Sequence, residues 1–257
     1  MDEVAQLNRL GARAVIASMG GSPGFELGLS PNCGLALSGE PLADLNMLFL
    51  GPDVDVLAFF ARAMARVAER DLPLLALMTP HVTSMLGPVA ERLGLTAAGT
   101  APLMVLRAGP ALNPGRACDI RRVLDPDDVR VAGDLASAAF SLDRAAMARA
   151  MDVGVTPTSG AETWVAYDGG APMSAVTVTP TGPTAGIWTM ATPPEKQGRG
   201  MGRALLTKVI ERYRAEGVER FYLVATVAGR PLYESLGFEA IADYSLRVLG
   251  HSTQTST

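Results

Sequence analysis

Residues 186–203 read Gly186-Ile187-Trp188-Thr189-Met190-Ala191-Thr192-Pro193-Pro194-Glu195-Lys196-Gln197-Gly198-Arg199-Gly200-Met201-Gly202-Arg203. The pattern predicts a strand, a short loop and a glycine-rich turn that opens a helix. The first turn of a helix presents unsatisfied backbone N–H groups and a partial positive charge. Glycines at alternate positions let the backbone approach an anion closely, and Arg199 and Arg203 add charge four residues apart. The stretch therefore predicts a site for a pyrophosphate.

The segments on both sides of this stretch alternate between strand and helix patterns. Asp125 is a plausible helix N-cap, and Asp168-Gly169-Gly170 is typical of a tight hairpin turn. Together they predict an α/β domain. The predicted strands are 120–124, 162–167, 173–179, 186–192, 221–225 and one or two within 238–248, and the predicted helices are 126–140, 143–151, 202–216 and 232–236.

The spacing of the glycines decides which nucleotide the turn would hold. A dinucleotide fingerprint needs G-x-G-x-x-G, whereas the chain has G-x-G-x-G, and the Gly-Lys-Ser/Thr of a Walker loop is absent. The pattern Gln197-x-x-Gly200-x-Gly202 instead resembles the acyl-CoA-binding motif of the GNAT superfamily of N-acetyltransferases. Downstream, Leu232-Tyr233-Glu234-Ser235-Leu236-Gly237-Phe238 resembles the closing motif of that family. The resemblance covers about residues 119–249.

The resemblance implies the acyl-CoA N-acyltransferase fold, a mixed sheet with a V-shaped opening between two central strands. It also implies acetyl-CoA as cosubstrate, with Tyr233 as the general acid at the departing thiolate. Thr226 stands where many relatives have Asn, and Gly229 where Ala is common, both near the arm of the coenzyme. The cofactor-binding residues implied are Met190, Ala191 and Thr192 for the pantetheine arm, then Gln197, Gly198, Arg199, Gly200, Met201, Gly202 and Arg203 for the pyrophosphate, with Thr226 and Gly229.

The predicted reaction is direct attack of a primary amine on the thioester carbonyl. The general base is open: Glu162 and Glu195 are candidates because they are carboxylates on or near the relevant strands. Two alternatives keep the fold, namely a sensor that binds acyl-CoA without turnover and an acyltransferase that uses a longer acyl-CoA. The acceptor is a small-molecule or peptide amine that the sequence does not identify.

The N-terminal half repeats part of this plan. Strand 44–50, helix 56–69 and strand 74–78 precede Pro88-Val89-Ala90-Glu91-Arg92-Leu93-Gly94-Leu95, which resembles the closing motif. Its loop Gly51-Pro52-Asp53-Val54-Asp55 is acidic and would repel a pyrophosphate, and Ala90 matches Tyr233. These features predict two tandem lobes, a degenerate lobe without a pyrophosphate loop (1–112) and a catalytic domain (113–250). A disordered tail (251–257) is predicted to follow them.

Composition limits the other classes of protein and of partner that the chain could represent. The net charge of −4 argues against a nucleic-acid partner, and two cysteines with two histidines make a disulfide framework or a metal site improbable. No apolar run reaches about 18 residues, so no membrane span is predicted. The simplest expectation is a cytoplasmic protein. A homodimer stays open, because the apolar N-terminal lobe can pack on its neighbouring lobe or on a second chain.

Overall fold

The computed structural model describes residues 2–19, 26–154 and 160–250. The chain divides into two compact units. The first unit contains Met1–Leu103, Val224–Val227 and the chain from Ala240 onward, and the second contains Met104–Leu223 and Ala228–Glu239. The predicted tail, 251–257, lies outside the described residues.

The first unit contains strands in the order β1-β2-β3-β4, with one α-helix in the chain between the last two. β1 and β2 pair antiparallel, as do β2 and β3, while β3 and β4 are parallel. The elements are α1 (Glu3–Met19), β1 (Glu26–Leu29), β2 (Cys33–Leu37), β3 (Asn46–Leu50), α2 (Val56–Arg70), β4 (Leu74–Met78), α3 (Pro80–Arg92) and β5 (Thr96–Leu106), which runs on into the second unit.

Helix α2 covers the core of the first unit with one apolar face. Phe60, Met64 and Val67 are buried, as their helical spacing predicts, but Leu57 is 57% exposed. Strand β2 is absent from the sequence prediction, because every one of its residues is buried and the alternation that marks a half-buried strand is missing.

The second unit carries strands in the order β10-β9-β8-β7-β6. β9 and β10 are parallel, and the remaining neighbours are antiparallel. Asp125 caps α4 as predicted, because its side chain accepts a hydrogen bond from the N–H of Asp128 at 2.9 Å. The elements are β6 (Asp119–Arg122), α4 (Pro126–Phe140), α5 (Arg144–Gly154), β7 (Glu162–Asp168), β8 (Ala171–Thr181), β9 (Thr184–Ala191), α6 (Met201–Ala215), β10 (Arg220–Val224), α7 (Arg230–Ser235) and β11 (Glu239–Leu249).

The last strand, β11, joins the first unit although it closes the chain. It pairs antiparallel with β4, from Ser245↔Met78 to Leu249↔Leu74. Residues 104–112 belong conversely to the second unit. The boundaries of the compact units therefore differ from the predicted lobe boundary at 112/113. A glycine- and proline-rich segment indicates a linker. It does not indicate which distant strand will pair with the strands on either side of it. Among the described helices, none has the length and apolarity to cross a membrane.

Candidate active site

The two central strands of the second unit separate partway along their length. β10 pairs with β9 at Arg220↔Thr184, Phe221↔Ala185 and Tyr222↔Gly186, and the ladder ends there. β9 nevertheless continues to Ala191. The end of β9 is thus free on its β10 side, which is the V-shaped opening that the fold was expected to contain.

A β-bulge lies in the free part of β9. On β8 the register advances two residues, from Thr177 to Ala175, while on β9 it advances three, from Trp188 to Ala191. Thr189 inside this step has a φ of 46°, in the left-handed region. A bulge leaves one residue without a ladder partner and re-aims its neighbours. The bulge spans Thr189 and Met190, and the pantetheine arm is expected at Met190.

Gly186 forms the base of the opening, where polar side chains converge closely. A Cβ at Gly186 would lie 2.7 Å from Trp188 Nε1, 2.8 Å from Thr179 Oγ1 and 2.9 Å from the Tyr222 hydroxyl. The Trp188 indole donates to Thr179 Oγ1 at 2.7 Å, and its ring meets that of Tyr222 edge-on at 5.9 Å. The sequence prediction does not include this cluster, although a glycine inside a strand indicates a close approach of another group.

The glycine-rich turn presents a row of open backbone donors. The first helical hydrogen bond of α6 is donated by Ala204 N–H to the carbonyl of Gly200. Within the described part of the chain, no backbone N–H of residues 198–203 donates a hydrogen bond. Gly198 and Gly200 have φ values of 72° and 73°, and Gly200 is the N-cap, so no side chain caps the helix. This turn, residues 198–203, is called the N–H cradle below, and it suits an anion.

Several predicted cofactor residues meet beside the cradle. The Gln197 amide donates to the carbonyl of Thr192 at 3.0 Å, and Thr192 Oγ1 shares a hydrogen bond with Ser174 at 2.8 Å. A Cβ at Gly202 would lie 3.1 Å from both Met190 Cε and Thr192 Oγ1. The end of β9 and the start of α6 are therefore packed tightly. Ala191 and Met201 are buried on either side of the loop.

The two predicted arginines already have partners. Arg199 Nη2 donates to the carbonyl of Glu195 at 3.2 Å. Arg203 donates to Ser235 Oγ at 2.7 Å and to the carbonyl of Asn113 at 3.3 Å. Arg203 thus ties the start of α6 to the end of α7, in addition to placing charge near the cradle.

Arg116 reaches the cradle from a distant part of the sequence. Its Nη1 donates to the carbonyl of Arg199 at 3.1 Å, and its Nη2 is 3.1 Å from Asp168 Oδ2. Its Cδ lies 3.7 Å from the position of a Cβ on Gly200. No sequence signal links Arg116 to the motif, because 83 residues separate it from Arg199.

Tyr233 is buried in the short helix α7, whose N-cap is Gly229. Burial raises the pKa of Tyr233 to about 12, so its hydroxyl is protonated at neutral pH. Its ring packs edge-on against Phe238 at 5.8 Å. The hydroxyl has no hydrogen bond to any described residue. It therefore keeps its proton available to another acceptor.

The two candidate bases lie in different parts of the second unit. Glu162, on β7, accepts a hydrogen bond from the Tyr213 hydroxyl at 2.6 Å and pairs with Arg122 at 3.1 Å. β8 and β9 lie between β7 and β10 in the sheet. Glu195 is exposed in the turn before the cradle. Thr226 is exposed as well and belongs to the first unit.

Burial raises the pKa of Tyr213 first of all, and the hydrogen bond to Glu162 raises it further. Tyr213 also accepts a hydrogen bond from Trp164 Nε1 at 3.2 Å. The network of Arg122, Glu162, Tyr213 and Trp164 thus joins α6 to β7 and β6. Both oxygens of Glu162 are engaged in it, which leaves its role as a base a prediction that the geometry does not favour.

One protein-family model matches the part of the chain that contains this site. Residues 159–240 match the model of the acetyltransferase (GNAT) domain. Among curated proteins, none matches the chain significantly. The matched range contains the opening, the cradle and Tyr233.

Solved structures extend the similarity over nearly the whole chain. A GCN5-related N-acetyltransferase from Kribbella flavida is 14% identical with a TM-score of 0.71, covering 99% of this chain and 98% of its own. One from Sphaerobacter thermophilus is 16% identical, with a TM-score of 0.62 and coverages of 98% and 94%. A tandem GNAT protein from the clavulanic acid biosynthesis pathway is 18% identical, with a TM-score of 0.58 and coverages of 97% and 94%. The chain thus has the GNAT fold, and residues 159–240 match the GNAT acetyltransferase domain.

Proposed function

We propose that the protein transfers an acetyl group from acetyl-CoA to a primary amine by direct attack. One observation carries the proposal: the open N–H cradle stands where β9 leaves its parallel partner. A diphosphate needs several converging donors, and an extended arm needs a free strand edge. The second unit offers both within one strand-turn-helix segment.

The residues of the second unit fit the parts of acetyl-CoA. The N–H groups of residues 198–203 would hold the diphosphate, with positive charge from Arg199 and Arg203 nearby. The free edge of β9 at Met190, Ala191 and Thr192 would pair with the amide-containing arm. Acetyl-CoA, when bound, supplies the acetyl group activated as a thioester.

Tyr233 would then act as the general acid. Its raised pKa keeps the proton on the hydroxyl, which is the form that can donate to a departing sulfur. A backbone N–H near the bulge at Met190 would polarise the carbonyl, as donors do in an oxyanion hole. The attacking amine loses its own proton to a base, for which Glu162 and Glu195 remain the candidates.

The test is calorimetric titration of the purified protein with acetyl-CoA, followed by assay of thiol release with a panel of amines. Gly200→Glu places a carboxylate in the cradle at a φ of 73°, which is strained for any side chain but glycine. Val54→Glu is the matched control, because Val54 is fully exposed in the corresponding loop of the first unit. Saturable binding that is lost in Gly200→Glu and kept in Val54→Glu supports the assignment.

Amine-dependent thiol release would establish the transferase and begin to identify its acceptor. Binding without release from any amine would support the acyl-CoA sensor instead. A panel of longer acyl-CoA thioesters tests whether the protein is an acyltransferase for a longer acyl group. In that case a deeper pocket would give a higher kcat/KM with the longer chain than with acetyl-CoA. Absence of binding by the wild-type protein would overturn the proposed function.

A further inference from the structure

We propose that Arg116 and Asp168 form a positioning pair that holds the N–H cradle in its binding conformation. This inference rests on the proposed function, because it assumes that the cradle binds the diphosphate of coenzyme A. Neither residue belongs to the glycine-rich motif, and both lie far from it in sequence. Their action is on the backbone of the turn.

The hydrogen bond from Arg116 fixes the orientation of one peptide unit. In a trans peptide the carbonyl of Arg199 and the N–H of Gly200 point in opposite directions. Because Arg116 Nη1 binds that carbonyl at 3.1 Å, the Gly200 N–H is directed away from Arg116. That N–H donates to no described residue, so it stays available to an anion.

The turn needs such a constraint because glycines flank the held peptide. Gly198 and Gly200 both have positive φ, and a Cβ on Gly198 would meet nothing within 4 Å. A glycine-rich turn of this kind loses much conformational entropy when it is ordered. The Arg116 stem, 3.7 Å from the Cβ position of Gly200, and its guanidinium restrict the turn before a ligand arrives.

Asp168 sets the direction of the Arg116 guanidinium. Its carboxylate pairs with Nη2 at 3.1 Å and stands at the end of β7, before Gly169 and Gly170. The side chains are 39% and 44% exposed, so the pair contributes little to the stability of the protein. Its effect is therefore expected in ligand binding, with little change in folding.

The backbone around Arg116 is anchored along α6. Arg203 Nε donates to the carbonyl of Asn113 at 3.3 Å, and Lys208 Nζ donates to the carbonyl of Cys118. These bonds flank Arg116 on both sides and fix the segment against α6. Arg116 thus projects from a held segment, as a positioning residue must.

The experiment compares three ligands by calorimetry: coenzyme A, dephospho-CoA, which lacks the 3′-phosphate, and pantetheine, which lacks the diphosphate. Arg116→Ala should weaken coenzyme A and dephospho-CoA by the same factor, about tenfold, and leave pantetheine unchanged. Arg116→Lys should recover part of the loss, because a lysine keeps a donor but not the planar fork. Asp168→Asn should weaken the binding of coenzyme A and of dephospho-CoA by about twofold to threefold.

NMR relaxation gives a second readout that needs no ligand. The order parameter of the Gly200 amide should be lower in Arg116→Ala than in the wild type, with an unchanged thermal midpoint. Equal affinity of Arg116→Ala and wild type for coenzyme A would overturn the inference. A loss confined to coenzyme A would overturn it too, since that result means direct contact with the 3′-phosphate. Failure of the wild type itself to bind coenzyme A would instead overturn the proposed function.

Discussion

Both units contain a strand, a loop, a helix and a parallel partner strand, yet they end differently. In the first unit β3 and β4 pair up to Leu50↔Met78, and the N–H of Thr79 adds a further bond to the carbonyl of Leu50 at 3.0 Å. In the second unit the ladder between β9 and β10 stops at Gly186↔Tyr222. One parallel pair is closed along its length and the other is open.

The loops that follow β3 and β9 differ in the same way, one being closed and the other open. In the first unit Asp53 accepts hydrogen bonds from Ser30 Oγ at 2.8 Å and from Asn32 N–H at 3.0 Å. The Asp53 carboxylate of this loop thus occupies donors that could otherwise bind an anion. In the second unit the cradle of residues 198–203 leaves its donors open. The same order of elements can therefore be a packing unit or a candidate binding site.

The closing motifs complete the contrast. Ala90 is fully buried in the 13-residue α3, whereas Tyr233 lies in the six-residue α7 with an unbonded hydroxyl. That the first unit binds no cofactor stays a prediction. Its closed strand pair and its filled loop give that prediction a physical reason.

The largest effect is expected from removing the proposed acid. Tyr233→Phe should lower kcat about 100-fold and leave the Kd for acetyl-CoA unchanged, because only the proton donor is lost. Steady-state kinetics and calorimetry measure the two quantities. Tyr244→Phe is the matched control, since Tyr244 is a buried tyrosine of the first unit. An unchanged kcat in Tyr233→Phe would remove the tyrosine from the mechanism.

Substitution of two strand glycines tests how tightly side chains pack at the base of the opening. Gly186→Ala should lower the free energy of unfolding by about 1–3 kcal/mol, because its Cβ would lie under 3 Å from three polar atoms. Thiol release should fall as Trp188 and Tyr222 are displaced. Gly28→Ala in β1 is the control, since its nearest neighbour would be at 3.7 Å. Urea unfolding of both variants gives the comparison, and equal tolerance would contradict the crowding at Gly186.

A smaller effect is expected in the filled loop. Asp53→Ala should lower the free energy of unfolding by about 1–2 kcal/mol, because the donors on Ser30 and Asn32 lose their acceptor. Affinity for acetyl-CoA should not change. A substantial loss of affinity would show that the first unit contributes to binding and that the two units differ less than their loops indicate.

The smallest effect concerns pH. Burial raises the pKa of Asp53, but hydrogen bonds from Ser30 and Asn32, and from the N–H groups of Asp55 and Val54, outweigh it and lower the pKa overall. A lowered pKa in the folded state gives stability that is present above the ordinary carboxyl value, about 3.9, and lost as pH falls through the folded value. The difference between wild type and Asp53→Ala should shrink below about pH 4. Urea unfolding at a series of pH values measures it, and a difference that grows in acid would reverse the assignment.

The sequence by itself determined the local elements and the motif. Strand β4 spans the predicted residues 74–78, α4 the predicted 126–140, and the turn before α6 has the predicted open donors. Hydrophobic periodicity, helix caps and glycine positions reflect interactions between residues that are close in the chain. These local elements can therefore be predicted from a single sequence.

Only the tertiary structure decided the rest. The pairing of β11 with β4, the Arg116 contact to Arg199 and the engagement of Glu162 by Arg122 and Tyr213 all join distant segments. Such contacts depend on which strands become neighbours and where a ladder ends, and no local pattern encodes either. The opening between β9 and β10 is of this kind: the motif indicates a ligand, and the divergence of the strands makes the room for it.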